Sequence, residues 1–254
     1  MWHDVKMLNA AAGTLFGLFV LALLGGGVWW LAQRPMFTLA EIRIEGAQGK
    51  ELRRVSASTI RSTAVPRIKG NFFTADITTV RAAFEAVPWV RHAAVRREWP
   101  NRLVVTLEEH VPLGTWGQDG RLLSVQGEVF VANLAEAEED GDLPEFSGPN
   151  GTEKEVLARY RELQGWFAPV NLAPGAVQLS SRYAWTVTLN NGMTVELGRE
   201  QNSATLKERV GRLVAVYPQL VARLQDRIEN VDMRYPNGMA LKAGGLALGM
   251  GKKK

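Results

Sequence analysis

The chain has no cysteine and only three histidines in 254 residues. The first absence excludes a disulfide framework and any Cys-ligated zinc site, and it suits an oxidising compartment. His3 precedes the long apolar run, so only His92 and His110 remain for everything after it, which argues against a metal site. Catalytic signatures are missing too: there is no G-x-S-x-G, S-x-x-K, H-E-x-x-H or Walker A pattern. The glycines of residues 244–251 follow no βαβ unit. Glu108 and Glu109 are adjacent on an expected strand and point to opposite faces, so they cannot share one substrate. A hydrolase would need an acid and a nucleophile, and no pair of residues offers itself. Nor is there a stripe of Lys and Arg interleaved with aromatics, as nucleic acid would require.

Charge is absent altogether from residues 8–31, LNAAAGTLFGLFVLALLGGGVWWL, a run of 24 residues. At ~1.5 Å rise per residue, a helix of that length crosses the ~30 Å hydrocarbon core of a bilayer. Trp29 and Trp30 stand at its downstream end, where indoles favour the membrane–water interface. A buried core helix is rarely apolar all round, and a cleaved signal peptide has a shorter apolar core and an A-x-A-like site, which WLAQRP is not. Residues 1–7 are then a short tail. Flanking charge, Lys6 before and Arg34, Arg43 and Lys50 after, would place the large region in the cytoplasm on a simple count. That rule weakens when a long domain follows, so charge alone does not decide the side.

The net charge of +4 hides an asymmetry. Residues 34–110 carry 13 basic and 8 acidic side chains, whereas residues 111–243 carry 13 and 17. Two modules are therefore expected. In the first, residues 39–45 alternate as a strand ended by Gly46, and Ser56 caps a short helix stopped before Pro66. Asp76 caps a second helix with Ile77, Val80, Phe84 and Val87 at the helical period. Two strands, residues 90–99 and 103–110, meet at Pro100-Asn101. In the second module, short strands surround turns at Asp119-Gly120 and Gly127, and the acidic run 136–142 reads as a loop. Thr152 and Glu155 suggest a capping box for a helix with Val156, Tyr160, Leu163 and Phe167 inward. Ser203 is placed to cap another helix, which Pro218 should kink or restart. Two hairpins close the module. A three-residue loop at 190–192 pairs Leu189 with Met193, Val187 with Val195 and Trp185 with Leu197, with Gly192 left-handed. A loop at 236–238 pairs Tyr235 with Met239 and Met233 with Leu241. Residues 244–254 read as a flexible basic tail.

The order strand–helix–helix–strand–strand resembles the POTRA domain. The motifs Gly70-Asn71-Phe72-Phe73, Pro88-Trp89-Val90-Arg91, Val95-Arg96-Arg97, Trp99-Pro100 and Glu109-His110-Val111-Pro112 resemble in particular the FtsQ/DivIB family of bacterial division proteins. So do Gly127-Glu128-Val129-Phe130 and Val231-Asp232-Met233-Arg234-Tyr235. The resemblance implies an α+β protein: one transmembrane helix (residues 8–31), a POTRA domain (37–110) and a mixed β-sheet domain with helices (111–243). It also implies a bitopic inner-membrane protein with a cytoplasmic amino terminus and its bulk in the periplasm, overriding the charge count. Its partners would be the division proteins FtsB and FtsL, with upstream division proteins recruited through the POTRA domain, and it would need no cofactor. By this resemblance a partner strand is added at Arg234, Tyr235, Gly238, Met239, Ala240 and Leu241. Arg91, Arg96 and Arg97 are candidates for a recruitment surface on the POTRA domain, or else a solvated strand face. Trp89 and Trp99 read as core or hairpin-packing residues. The competing classes are a periplasmic enzyme or activator acting on peptidoglycan, and a POTRA chaperone of outer-membrane secretion; no barrel-length β region supports the latter.

Overall fold

The computed structural model describes residues 5–224, 228–235 and 238–244. Helix α1 (Val5–Ala32) runs unbroken through Gly25–Gly27, and its apolar stretch from Met7 to Trp30 is long enough to cross a membrane. None of the apolar window is buried against the rest of the chain, unlike the core helix of a soluble domain. The chain otherwise divides into two compact units, residues 1–109 and 110–254.

After α1 the first unit contains β1 (Glu41–Gly46), α2 (Ala57–Thr63), α3 (Ile77–Glu85), β2 (Val90–Glu98) and β3 (Arg102–Glu109). The strand order is β1-β3-β2, with β1 parallel and β2 antiparallel to β3. This is the expected β-α-α-β-β arrangement. Local chemistry sets both helix starts. The Ser56 hydroxyl accepts from the Thr59 N–H, and the Asp76 carboxylate accepts from the Thr78 and Thr79 N–H groups. Central strand β3 buries Leu103, Val105 and Leu107, and α3, which packs on β2, buries Val80 and Phe84. Each such side chain contributes about 1.5–3 kcal/mol on leaving water. Trp89 belongs to this core, at a left-handed φ of +72°. The Arg54 guanidinium lies 4.5 Å above its ring. Trp99 does not follow it: the residue is 75% exposed at the hairpin tip, a correction to the expected packing.

The second unit comprises β4 (Pro112–Trp116), β5 (Arg121–Ser124), β6 (Val129–Phe130), α4 (Leu134–Glu138), β7 (Glu145–Ser147), α5 (Glu153–Phe167), β8 (Pro174–Leu179), β9 (Ala184–Leu189), β10 (Thr194–Arg199), α6 (Thr205–Leu224), β11 (Ile228–Asp232) and β12 (Ala240–Ala243). The sheet order is β12-β11-β10-β9-β8-β7-β4-β5-β6. Its core joins Trp185, Val187 and Val195 of the sheet to Val156, Leu163 and Phe167 of α5 and to Leu206, Val210 and Leu213 of α6.

Several local expectations change here. The start of the acidic run, residues 136–138, belongs to α4, which is capped by Asn133 and seated by buried Ala137, while residues 139–142 form the expected loop. The capping box is not made: the Thr152 hydroxyl donates to the Pro149 carbonyl, and Glu153 accepts from the Gly151 N–H. Asn202 takes the place of Ser203, its side-chain oxygen accepting from the Ala204 N–H and the Thr205 hydroxyl. Helix α6 continues through Pro218 instead of restarting. In the β9–β10 hairpin the Leu189 N–H donates to the Met193 carbonyl, Val187 faces Val195, and Gly192 has φ +84°. Trp185 then faces Gly198 rather than Leu197, because a bulge intervenes and Gly198 adopts φ +72°. The bulge keeps both Trp185 and Leu197 buried.

Candidate partner-binding edge

Strand β12 ends the nine-stranded sheet. It pairs antiparallel with β11, Val231 facing Leu241 and Asp232 facing Ala240, and among the described residues no strand lies on its other side. The expected pairs of Tyr235 with Met239 and Met233 with Leu241 are therefore wrong by two residues. The reason is that β11 stops at Asp232. The Met233 N–H donates to the Glu196 carbonyl of β10, and the Arg234 N–H donates to the Asp232 carboxylate, so both turn away from β12. Pro236 and Asn237 of the expected loop, and residues 245–254 of the expected tail, lie outside the described residues.

The remaining residues of this edge separate by role. Tyr235 is 56% exposed and its carbonyl accepts from Arg212. Leu241 and Ala240 are exposed, as is Gly238, whereas Met239 packs against the core. Arg234 is exposed, yet its guanidinium is engaged: it reaches Asp232 at 2.6 Å and Glu196 at 3.0 Å. The hydrogen bonds from Arg234 hold the Asp232 carboxyl below its ordinary range.

Reading the sequence missed one feature of this site. Arg182, Arg199, Arg209 and Arg234 converge on a recess of about 320 Å³ that Ser180 and Gln201 also line. Arg209 is held there by donating to the Leu197 and Arg199 carbonyls. These arginines come from four separate stretches of chain, so no local pattern announces them. The recess is basic and open, suited to a carboxylate.

The three candidate arginines of the first unit, Arg91, Arg96 and Arg97, do not share one face of β2. Arg91 pairs with Glu108 at 2.8 Å, Arg96 faces Glu98 at 3.7 Å, and Arg97 donates to the Ala75 carbonyl at 2.6 Å. Arg96 and Arg97 are adjacent on β2 and project from opposite faces. Among the described residues no group of His, Asp and Glu side chains is placed to hold a metal ion.

Residues 114–234 match the family model for the cell division protein FtsQ/DivIB C-terminal region, and residues 37–110 match the FtsQ-type POTRA domain. Similar proteins span nearly the whole chain. A cell division protein FtsQ from Burkholderia pseudomallei is 54% identical over 97% of this chain and 96% of its own length. One from Bordetella pertussis is 44% identical over 95% and 92%. One from Vibrio cholerae is 31% identical over 91% and 86%.

Proposed function

This chain belongs to the FtsQ/DivIB family of cell division proteins, and on that premise we propose that it is a non-enzymatic scaffold of the division machinery. Helix α1 anchors it once in the inner membrane, with the amino terminus cytoplasmic and both units periplasmic, at the division septum. The second unit binds FtsB and, with it, FtsL, and the POTRA unit answers to upstream division proteins.

The observation that carries the binding role is the exposed edge at β12, flanked by Tyr235 and the basic recess. An edge strand offers unpaired N–H and C=O groups that an incoming strand can satisfy. Tyr235 supplies a rigid aromatic anchor beside that edge. Arg234 is already paired within the chain, so a partner carboxylate would share or exchange its guanidinium, while Arg182 and Arg199 extend the basic surface.

Calorimetric titration with a peptide of the FtsB periplasmic segment tests this reading. Ala240→Pro and Leu241→Pro each remove one backbone donor, and the one whose N–H points outward should cost about 0.5–1.5 kcal/mol or more of binding. Tyr235→Ala should cost roughly 2 kcal/mol or more, about 30-fold in Kd. Unchanged affinity in all three variants, each folded by its melting curve, would refute strand addition here.

A further inference from the structure

The first unit carries large apolar side chains that its own core does not use. Met36, Phe73 and Trp99 are 63%, 50% and 75% exposed. They come from three separate segments, and the backbone brings those segments together at one end of the sheet. The Phe72 N–H donates to the Phe37 carbonyl at 2.9 Å, and the Phe37 and Phe73 rings meet edge to face at 4.9 Å. The Ala40 N–H donates to the Asn101 carbonyl at 3.0 Å, and Glu41 pairs with Arg102. Arg97 donates to the Ala75 carbonyl, tying the β2–β3 hairpin to the turn that holds Phe73.

That end is also where the chain leaves α1. The helix ends at Ala32, five residues before Phe37. Five residues reach at most about 18 Å fully extended, and residues 35–37 form a tight helical turn that shortens the reach. Trp30, in the last turns of α1, lies 3.5 Å beneath the Arg34 guanidinium, a pairing suited to the headgroup region. Exposed Arg67 and Lys69 precede the Phe73 turn and suit lipid phosphates.

We propose that Met36, Phe73 and Trp99 form a second membrane contact, seated in the interfacial layer of the bilayer on the side where this unit stands. The tether identifies the occupant: a surface held within a few residues of the span meets the lipid headgroups before any soluble partner. Indole and phenyl rings partition into that layer, and exposure to water leaves their apolar area unused. The contact would fix the tilt and height of the POTRA unit above the membrane, which a flexible tether by itself would not. The inference rests on α1 spanning the membrane.

The absence of cysteine makes the test direct. The full chain is placed in vesicles of phosphatidylcholine with a minority of phosphatidylglycerol, some lipids carrying a nitroxide near the headgroup. A bimane label is attached through Arg102→Cys at the hairpin, or through Lys50→Cys beyond the far end of β1. Quenching at position 102 should exceed that at position 50 roughly twofold or more. Adding Phe73→Ser and Trp99→Ser should bring position 102 down to the level of position 50, with melting unchanged. Both residues are exposed, but should the pair disturb folding, Trp99→Ser alone decides and should remove a measurable part of the quenching. Equal quenching at the two positions, or quenching that survives the serines, overturns the membrane contact while leaving the span intact. A chain that fails to co-float with the vesicles overturns the span and this inference with it.

Discussion

Glu109 closes β3, and its carboxylate caps a segment more than fifty residues away in sequence. Oε1 accepts from the Arg54 N–H at 2.9 Å and the Val55 N–H at 2.7 Å, and Oε2 accepts from the Arg53 N–H at 2.9 Å. Replacing Glu109 with Ala removes both acceptor oxygens and so all three hydrogen bonds. The Arg53 donor is exposed and water replaces its partner at little cost. The Arg54 and Val55 donors are part-buried, and each orphaned donor costs about 1–3 kcal/mol when fully buried. Partial exposure places both at the lower end, so the two together should cost about 2–3 kcal/mol of local stability. Opening of the 53–55 segment should become easier by the same amount, roughly 30- to 150-fold in its equilibrium constant. Glu109→Gln keeps one oxygen, which can stand where Oε1 stands, so only the Arg53 amide should lose its partner. Amide hydrogen exchange read by mass spectrometry or NMR measures this directly. Glu109→Ala should accelerate exchange at Arg54 and Val55, and Glu109→Gln should leave both nearly as protected as in the native chain. Unchanged protection of these two amides in a folded Glu109→Ala protein would refute the reasoning. So would equal losses in the two variants.

Gly114 sits where β4 meets β7, and a Cβ there would collide with the Pro144 carbonyl oxygen and the Phe146 ring. Gly114→Ala should therefore destabilise the second unit by about 1–3 kcal/mol or more, seen as a lower melting temperature of that unit, whereas an unchanged transition would mean that the two strands stand further apart. Hydrogen bonds from the Thr78 and Thr79 hydroxyls, in that order, hold the Asp76 carboxyl at about 2, below the 3.8 of an unperturbed aspartate. Its folded value lies below the unfolded one, so its support of α3 is complete above pH ~3.8 and is lost as pH falls through about 2. The Thr78 and Thr79 amide resonances should report that titration, and Asp76→Asn, which caps without ionising, should abolish it.

How far the sequence could be read depended on how far apart the interacting residues lie. The Ser56 and Asp76 caps join residues two or three apart, and only their immediate neighbours compete for the same donors. The acidic run and the Thr152 box show the limit: the same side chains found other nearby partners, and only the folded turn decided between them. At the candidate site, the closing hairpin could be expected from its alternation on either side of residues 236–238. Its register could not, since both pairings keep apolar residues in step and differ by a full period of two. What settled it was the non-local pull of β10 on Met233, together with the local hold of the Asp232 carboxylate on the Arg234 N–H. The recess of four arginines and the reach of Glu109 across the first unit are of the same kind.

By itself, then, the amino-acid order determined the long apolar helix, the Ser56 and Asp76 helix starts, the alternation of the strands and the left-handed Gly192, because each follows from chain geometry and neighbours within a turn or two. Only the tertiary structure decided the mixed strand order, the bulge at Gly198, the two-residue shift of β12 and the surfaces that face outward. Those depend on which distant groups win the same hydrogen bonds and the same core volume, and that contest is resolved only when the whole unit packs.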